Sequence, residues 1–181
     1  MVTVFLADGF EEIEAVTPID ILRRGGVAVR TCSITSSREV TGAHGISVKA
    51  DICLSELTGD DELYLLPGGM PGTLNLEACA PLRMKIFAHY QKGGLLAAIC
   101  AAPTVFGKMG LLKNEKATCY PGMEKELDAA EVSREPVVVS GRFITSRGAG
   151  TAFEFALTLV SVLKGKEEAE QLSRAMCFKG E

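Results

Sequence analysis

The sequence predicts an α/β fold with a mostly parallel central sheet. Short β-rich segments alternate with helical patterns along the chain, and this alternation is typical of parallel strands that are joined by helices. The β segments at residues 4–6, 64–66 and 95–99 are almost entirely apolar, as expected for strands that are buried on both faces. We therefore expect these three strands to lie at the centre of the sheet.

The predicted elements follow one another without a repeat, a linker or a low-complexity segment. Strands are predicted over residues 2–7, 27–34, 62–66 and 95–99, and helices over residues 11–24 and 81–91. Residues 136–140 and 142–146 flank Gly141 like a tight hairpin, and helices are predicted over residues 152–163 and 167–175. Thr151 and Glu154 have the spacing of a capping box at the start of the first of these helices. We expect one domain over residues 1–181.

Composition excludes several classes of function. The 181 residues are 47% hydrophobic with a net charge of -4, and the basic residues are scattered, which argues against nucleic-acid binding. The sequence contains neither a signal-peptide pattern nor an apolar stretch of membrane-spanning length, so we expect a cytoplasmic protein with no membrane contact. Six widely spaced cysteines without a zinc-type cluster are expected to be free thiols.

Cys100 is the strongest candidate functional residue. It stands in LLAAICAAPT (residues 95–104), where an apolar strand meets a proline that suits the first turn of a helix. A nucleophile elbow has this arrangement and needs small residues two positions to either side, as Ala98 and Ala102 are. A thiol at a helix N-terminus is expected to have a pKa below the value of about 8.5 for free cysteine. The alternative is that Cys100 is a small buried apolar residue, as most cysteines are.

Two other segments also follow predicted strands. The glycine-rich LPGG (residues 66–69) brings backbone amides within reach of a ligand or an oxyanion, although most such segments are simply turns. In DGFEEIE (residues 8–14), Glu11 and Glu12 are expected to complement the helix dipole, and Glu14 is the carboxylate expected to turn inward. Because ligands of open α/β sheets bind at the carboxyl ends of the strands, we expect Glu14, Gly69 and Cys100 to converge.

Four segments resemble the ThiJ/PfpI superfamily, specifically the branch with the parkinsonism-associated deglycase and bacterial ThiJ-like proteins. They are EEIEAV (residues 11–16), LPGG (66–69), AAICAAPT (97–104) and TSRGAGTAFEFAL (145–157), and the resemblance covers nearly the whole chain. It implies a flavodoxin-like three-layer sandwich that is usually a homodimer. It also implies that Cys100 is the reactive thiol, that Glu14 is hydrogen-bonded to it, and that Gly69 and Ala101 supply anion-binding amides.

The same resemblance implies three activities. These are conversion of methylglyoxal without glutathione, deglycation of early aldehyde adducts, and a cysteine-based response to oxidative stress. The first hypothesis is therefore an enzyme that acts on small reactive carbonyls, and the alternative is a redox-sensing or chaperone-like stress protein that uses oxidation of Cys100. Metal-ligand clusters and phosphate-binding loops are absent from the sequence, so no cofactor is expected.

The chain departs from the superfamily pattern at two positions. Protease-like relatives place a histidine directly after the cysteine, but here Ala101 follows, so a protease or amidase is not expected. Part of the deglycase branch has a histidine before a proline near the pocket, where this chain has Tyr120, either as a pocket wall or as an ordinary buried tyrosine. His89 is predicted to face solvent on its helix. His44 is expected to be an exposed turn residue, with pocket contact as the alternative.

Overall fold

The computed structural model describes residues 1–178 and has the predicted α/β architecture. The strands are β1 (Val2–Leu6), β2 (Val29–Ser33), β3 (Glu39–Thr41), β4 (Ser47–Lys49), β5 (Ile52–Cys53), β6 (Leu63–Leu66), β7 (Leu95–Ile99), β8 (Lys116–Ala117), β9 (Glu131–Val132), β10 (Val137–Ser140) and β11 (Phe143–Ser146). The helices are α1 (Glu12–Arg24), α2 (Gly72–Ala78), α3 (Ala80–Gln91), α4 (Pro103–Lys108), α5 (Ala152–Lys164) and α6 (Lys166–Ala175).

The main sheet has the strand order β10-β11-β7-β6-β1-β2-β5 within residues 1–178. Its neighbours pair in parallel except β10 and β11, which form an antiparallel hairpin around Gly141. The three apolar strands β1, β6 and β7 lie side by side in the middle, which confirms the sequence prediction. Their carboxyl ends therefore meet at one edge of the sheet.

The sheet separates two apolar cores. In β6, Leu63 and Leu65 belong to the core beneath α1 and α5, whereas Tyr64 and Leu66 belong to the core beneath α2, α3 and α4. This alternation follows from the two-residue period of a strand, and it produces the three layers of a flavodoxin-like sandwich. Burying each of these side chains contributes about 1.5–3 kcal/mol.

Several short elements were not predicted from the sequence. The β3–β4 hairpin lies outside the main sheet, and the two-residue strands β8 and β9 form a small sheet of their own. The predicted capping box at α5 is wrong, because Thr151 makes no side-chain cap. Its Oγ1 instead lies 2.7 Å from Ser146 Oγ and donates to the Gly148 carbonyl at 2.9 Å. The threonine thus braces the turn that enters α5.

His89 does not face solvent, so that prediction was also wrong. Its side chain is buried on α3 and its ring stacks on Tyr64 with 3.9 Å between the ring centroids. His89 Nε2 lies 3.0 Å from the Leu95 carbonyl. Burial lowers the pKa of this imidazole, which favours its neutral form. His89 is consequently part of the core beneath β7.

Two further predictions, on the state of the cysteines and on membrane-spanning segments, can be compared with the described residues. All six cysteines are free thiols, as predicted. Among residues 1–178, every helix lacks the length or the apolar composition that a bilayer crossing requires.

Candidate active site

Cys100 occupies a strained turn between β7 and α4. Its φ of 66° lies in the left-handed region, a conformation that costs a non-glycine residue about 1–3 kcal/mol. The Cys100 N–H donates to the Ser146 carbonyl at 2.9 Å, and the Cys100 carbonyl accepts from the Tyr120 N–H at 2.7 Å. Ala98 and Ala102 are fully buried on either side. The geometry is that of a nucleophile elbow.

Glu14 turns inward from the first turn of α1 and meets this thiol. Its side chain is buried and hydrogen-bonded to Cys100. Glu14 Oε2 also accepts from the Gly68 N–H at 3.0 Å, and the Ala149 N–H donates to the same carboxylate. Glu11 caps α1, because its Oε2 accepts from the Glu14 N–H at 2.7 Å. This cap holds the first turn of α1 in the position from which the Glu14 side chain reaches the sulfur.

Gly68 leaves the space in which the acid and the thiol meet. A Cβ at this position would lie 2.6 Å from Glu14 Oε2 and 2.7 Å from Cys100 Cβ, closer than real Cβ atoms approach. Gly69 follows with a φ of 93°, and its N–H and that of Ala101 both hydrogen-bond to the Cys100 sulfur. Gly69 was predicted as a site residue, but Gly68 was not, because its role depends on two side chains that are distant in the sequence.

The protonation of Glu14 and Cys100 is coupled. Burial, helped by the charge of Glu11, raises the pKa of Glu14 to about 7. Burial, followed by the charge and hydrogen bond of Glu14, raises the pKa of Cys100 to about 12, while the Ala101 and Gly69 N–H groups act in the opposite direction. The predicted lowering of the thiol pKa by the helix N-terminus is therefore wrong for the thiol beside an ionised Glu14. Burial and the carboxylate outweigh the dipole of the short helix α4.

A pocket of about 400 Å³ opens above the sulfur. It is lined by Gly69, Met70, Cys100, Ala101, Tyr120, Pro121, Gly122 and Met123. Tyr120 is a half-exposed wall of this pocket, which favours the first of its two sequence interpretations over an ordinary buried tyrosine. The two methionines were missed, because no local sequence signal places a loop side chain above a distant strand end.

His44 does not line the pocket, so the pocket-contact alternative does not hold. Its side chain is 70% exposed, and Nδ1 lies 2.7 Å from Glu12 Oε2. Glu12 is buried, and its Oε1 also accepts from the His44 N–H at 2.7 Å. The hydrogen bond and charge of Glu12 raise the pKa of His44. Glu12 thus fastens the β3–β4 hairpin to α1, which corrects the interpretation that it only complements the helix dipole.

Glu11, Glu12 and His44 also offer ligand atoms within 4.8 Å of one another. The sequence did not suggest this cluster, because the hairpin that carries His44 was not predicted. Glu11 caps α1 and Glu12 binds the hairpin, so protein hydrogen bonds already account for both carboxylates. We assign no cation to the cluster.

The parallel sheet, the elbow cysteine and the buried acid define an α/β protein with a glutamate–cysteine pair at the carboxyl edge of its sheet. The model of the DJ-1/PfpI family matches residues 1–162. The chain belongs to the DJ-1/PfpI family, as the sequence resemblance indicated.

Individual relatives agree with this assignment. Protein DJ-1 homolog B of Arabidopsis thaliana is 45% identical over 93% of this chain, and the chain spans less than half the length of the two Arabidopsis relatives. Glutathione-independent glyoxalase DJR-1.2 of Caenorhabditis elegans is 35% identical over 93% of this chain and 90% of its own. The solved structure of oxidized Toxoplasma gondii DJ-1 has a TM-score of 0.94 and 38% identity over 98% of each chain.

Proposed function

We propose that this protein is a cysteine-dependent enzyme that converts small 2-oxoaldehydes into 2-hydroxy acids without glutathione. The observation that carries the proposal is the hydrogen-bonded pair of Glu14 and Cys100, with the Gly69 and Ala101 N–H groups directed at the sulfur. The glyoxalase name of the Caenorhabditis elegans relative supports the choice of substrate.

The Glu14–Cys100 pair supplies the nucleophile by sharing one proton. A coupled pair loses its protons in macroscopic steps that belong to both groups. With the Glu14 pKa at about 7, the pair has lost its first proton once the pH rises above neutrality. When the remaining proton resides on Glu14, the sulfur is a thiolate that accepts hydrogen bonds from the acid and from the two N–H groups.

The proposed reaction begins with addition of this thiolate to the aldehyde carbon, C1. A C–S bond forms and the carbonyl π electrons move to oxygen, where the Gly69 and Ala101 N–H groups stabilise the alkoxide. Protonation by Glu14 gives a thiohemiacetal. Glu14 then takes the C1 proton and returns a proton to C2 through an enediol, which produces the thioester of a 2-hydroxy acid.

Hydrolysis completes the cycle. Water attacks the thioester carbon, the C–S bond breaks, and the 2-hydroxy acid leaves while a proton from the water restores the shared proton on Glu14 and the sulfur departs as the thiolate. The sum is one aldehyde and one water converted to one hydroxy acid. C1 is oxidised and C2 is reduced within the same molecule, so the reaction needs no external oxidant and no redox cofactor.

The test is conversion of methylglyoxal to lactate by the purified protein in the absence of glutathione. We expect a rate that is proportional to enzyme concentration and unchanged by a metal chelator, because the chain's own thiol, acid and amides perform every step. Pretreatment with iodoacetamide should abolish the rate. A rate that is lost on chelation and restored by zinc would contradict the proposal.

Deglycation is a second use of the same chemistry. Early adducts of 2-oxoaldehydes with amines and thiols release free aldehyde reversibly, so removal of the aldehyde also removes the adduct. Direct action on the adduct would make its loss faster than spontaneous release of the aldehyde. Stopped-flow comparison of the two rates separates the activities.

A redox role is the alternative that uses the same sulfur. The oxidized state named for the Toxoplasma gondii relative favours it. Two equivalents of hydrogen peroxide would take the thiolate to the sulfinate, with release of two waters. Peroxide-dependent changes in stability or partner binding without methylglyoxal turnover would favour this role over catalysis.

We also propose that the protein acts as a homodimer. Ile13 and Val16 are about half exposed on α1, and Ile46 is 57% exposed on the hairpin that Glu12 holds against this helix. Such neighbouring apolar side chains are typical of a subunit interface.

Charge placed in this apolar patch should prevent dimerisation. Val16→Glu should scatter light as a monomer at micromolar concentration, where the unmodified protein scatters as a dimer. Met84→Glu, at a more exposed apolar position on α3, is the matched control and should remain dimeric. A monomeric unmodified protein, or a dimeric Val16→Glu variant, would contradict this interface.

A further inference from the structure

We propose that the pocket selects neutral 2-oxoaldehydes with a bulky apolar substituent, preferably aromatic, and that Tyr120 determines this specificity. The inference rests on the proposed function and adds the substrate class. It is drawn from the walls of the pocket above Cys100, which are distinct from the Glu14–Cys100 pair that performs the chemistry.

The size of the pocket exceeds what a three-carbon aldehyde needs. Its volume of about 400 Å³ lies in the range of sites that hold larger small molecules, roughly 300–1,000 Å³. Methylglyoxal bound at the sulfur would leave most of this space to water. A substituent that fills the space gains binding energy from each apolar atom that it removes from water.

The side chains above the sulfur are apolar or aromatic. Met70 and Met123 contribute thioethers, Pro121 contributes its ring, and Tyr120 contributes a phenol ring that is 52% exposed. Thioether sulfur makes favourable contacts with aromatic rings, and aromatic rings also stack on one another. This set of side chains therefore matches an aryl substituent better than a hydroxylated one.

The charges near the pocket disfavour an anionic substrate. None of its lining residues carries a cationic side chain, and the Glu14–Cys100 pair beneath it holds a negative charge after its first deprotonation. Glu124 Oε2 accepts from the Gly122 N–H at 2.8 Å, which adds a carboxylate at the rim. Arg147 donates to the Arg134 carbonyl at 2.9 Å and is not among the residues that line the pocket. A substrate carboxylate would lose water without gaining a cation.

Tyr120 is fixed as the outer wall by the elbow itself. Its N–H donates to the Cys100 carbonyl, and its Cδ2 would lie 3.5 Å from a Cβ at Gly148, next to the entrance of α5. The backbone that carries the ring is therefore tied to the reactive residue. Removal of the ring should change substrate preference more than it changes the chemistry at the sulfur.

The test compares kcat/KM for methylglyoxal, phenylglyoxal and 4-carboxyphenylglyoxal. We expect the unmodified protein to prefer phenylglyoxal over methylglyoxal and over its carboxylated analogue, each by at least about 10-fold. Tyr120→Ala should reduce the phenyl-to-methyl ratio by about 5- to 10-fold. Tyr120→Phe, which keeps the ring and removes the hydroxyl, is the matched control and should retain the ratio.

A second readout needs no turnover. Cys100 should react faster with N-phenylmaleimide than with N-ethylmaleimide, relative to free cysteine, and Tyr120→Ala should remove this advantage. Iodoacetamide should likewise be favoured over anionic iodoacetate. Selective labelling without turnover of any aldehyde would contradict the proposed enzymatic function and, with it, the proposed substrate class. It would still support an apolar pocket that prefers aryl groups. Turnover or labelling with no aryl preference, or a preference that survives Tyr120→Ala, would overturn this inference and leave the proposed function standing.

Discussion

Cys100→Ser is expected to lower the conversion of methylglyoxal by on the order of 10³-fold or more, to the level of a buffer blank. A serine hydroxyl at this position remains protonated near neutral pH, because its pKa lies far above that of a thiol, so the variant lacks a nucleophile as strong as the thiolate. The fold should be unchanged, because serine has nearly the size of cysteine and keeps the N–H that binds the Ser146 carbonyl.

Cys79→Ser is the matched control for this loss. Cys79 is a free thiol with the same intermediate exposure as Cys100, but it lies between α2 and α3 and does not line the pocket. Its variant should keep the full rate. Lactate production that survives in Cys100→Ser would show that another group attacks the aldehyde, and thermal unfolding of both variants would exclude loss of the fold.

Because the proposed reactive form holds its shared proton on Glu14, Glu14→Leu is expected to slow alkylation of Cys100 at pH 7 by about 10- to 100-fold. The variant loses the hydrogen bond from the acid to the thiolate, and each unit of rise in a thiol pKa lowers the thiolate fraction tenfold. Faster alkylation in Glu14→Leu would instead show that the ionised carboxylate, which raises the thiol pKa, dominates. In the unmodified protein the doubly protonated pair has no thiolate, and it loses one proton as the pH rises through about 7. The alkylation rate should therefore rise around that pH. Without the acid this rise disappears, and a buried thiol ionises only at higher pH.

Glu14→Gln and Glu12→Leu make this prediction specific. The amide of Glu14→Gln keeps an N–H donor for the thiolate, so its Cys100 pKa should remain below that of Glu14→Leu. Glu12→Leu also removes a buried carboxylate from α1, but one that binds His44 rather than the thiol, so the Cys100 profile should not move. Alkylation rates and thiolate absorbance across pH measure all three. An unchanged profile in Glu14→Leu would exclude control of the thiol by this acid.

The central strands were predictable because their signal is local. The bounds predicted for the strand at residues 95–99 agree with β7, since a strand buried on both faces is apolar at every position. The β3–β4 hairpin was missed because its strands have only three residues each, with few apolar side chains. Its position depends on Glu12, which lies far from it in the sequence.

His89 shows why exposure is harder to predict than secondary structure. Its helix was expected, but the ring that covers its imidazole belongs to Tyr64 in β6. No pattern within α3 reveals that partner. The direction of the Cys100 pKa has a similar cause, because the effect of a helix end can be read from the sequence, whereas burial depends on the whole fold.

The convergence of Glu14, Gly69 and Cys100 was predictable because parallel strands bring their carboxyl ends to one edge. The steric role of Gly68 was not, since it arises from the distance of a missing Cβ to two side chains on other segments. The walls formed by Met70 and Met123 depend on loop conformation and likewise required the structure.

The site has an inner side, at Gly68, where a larger side chain cannot be accommodated, and an outer side where substitution is tolerated. On the inner side, no residue with a Cβ fits between Glu14 and Cys100, so any substitution of Gly68 must push the acid and the thiol apart. On the outer side, Met70 and Tyr120 are about half exposed, and replacements there leave the core intact. Directed evolution towards new substrates should therefore begin at the outer wall, where a changed side chain leaves the Glu14–Cys100 contact in place.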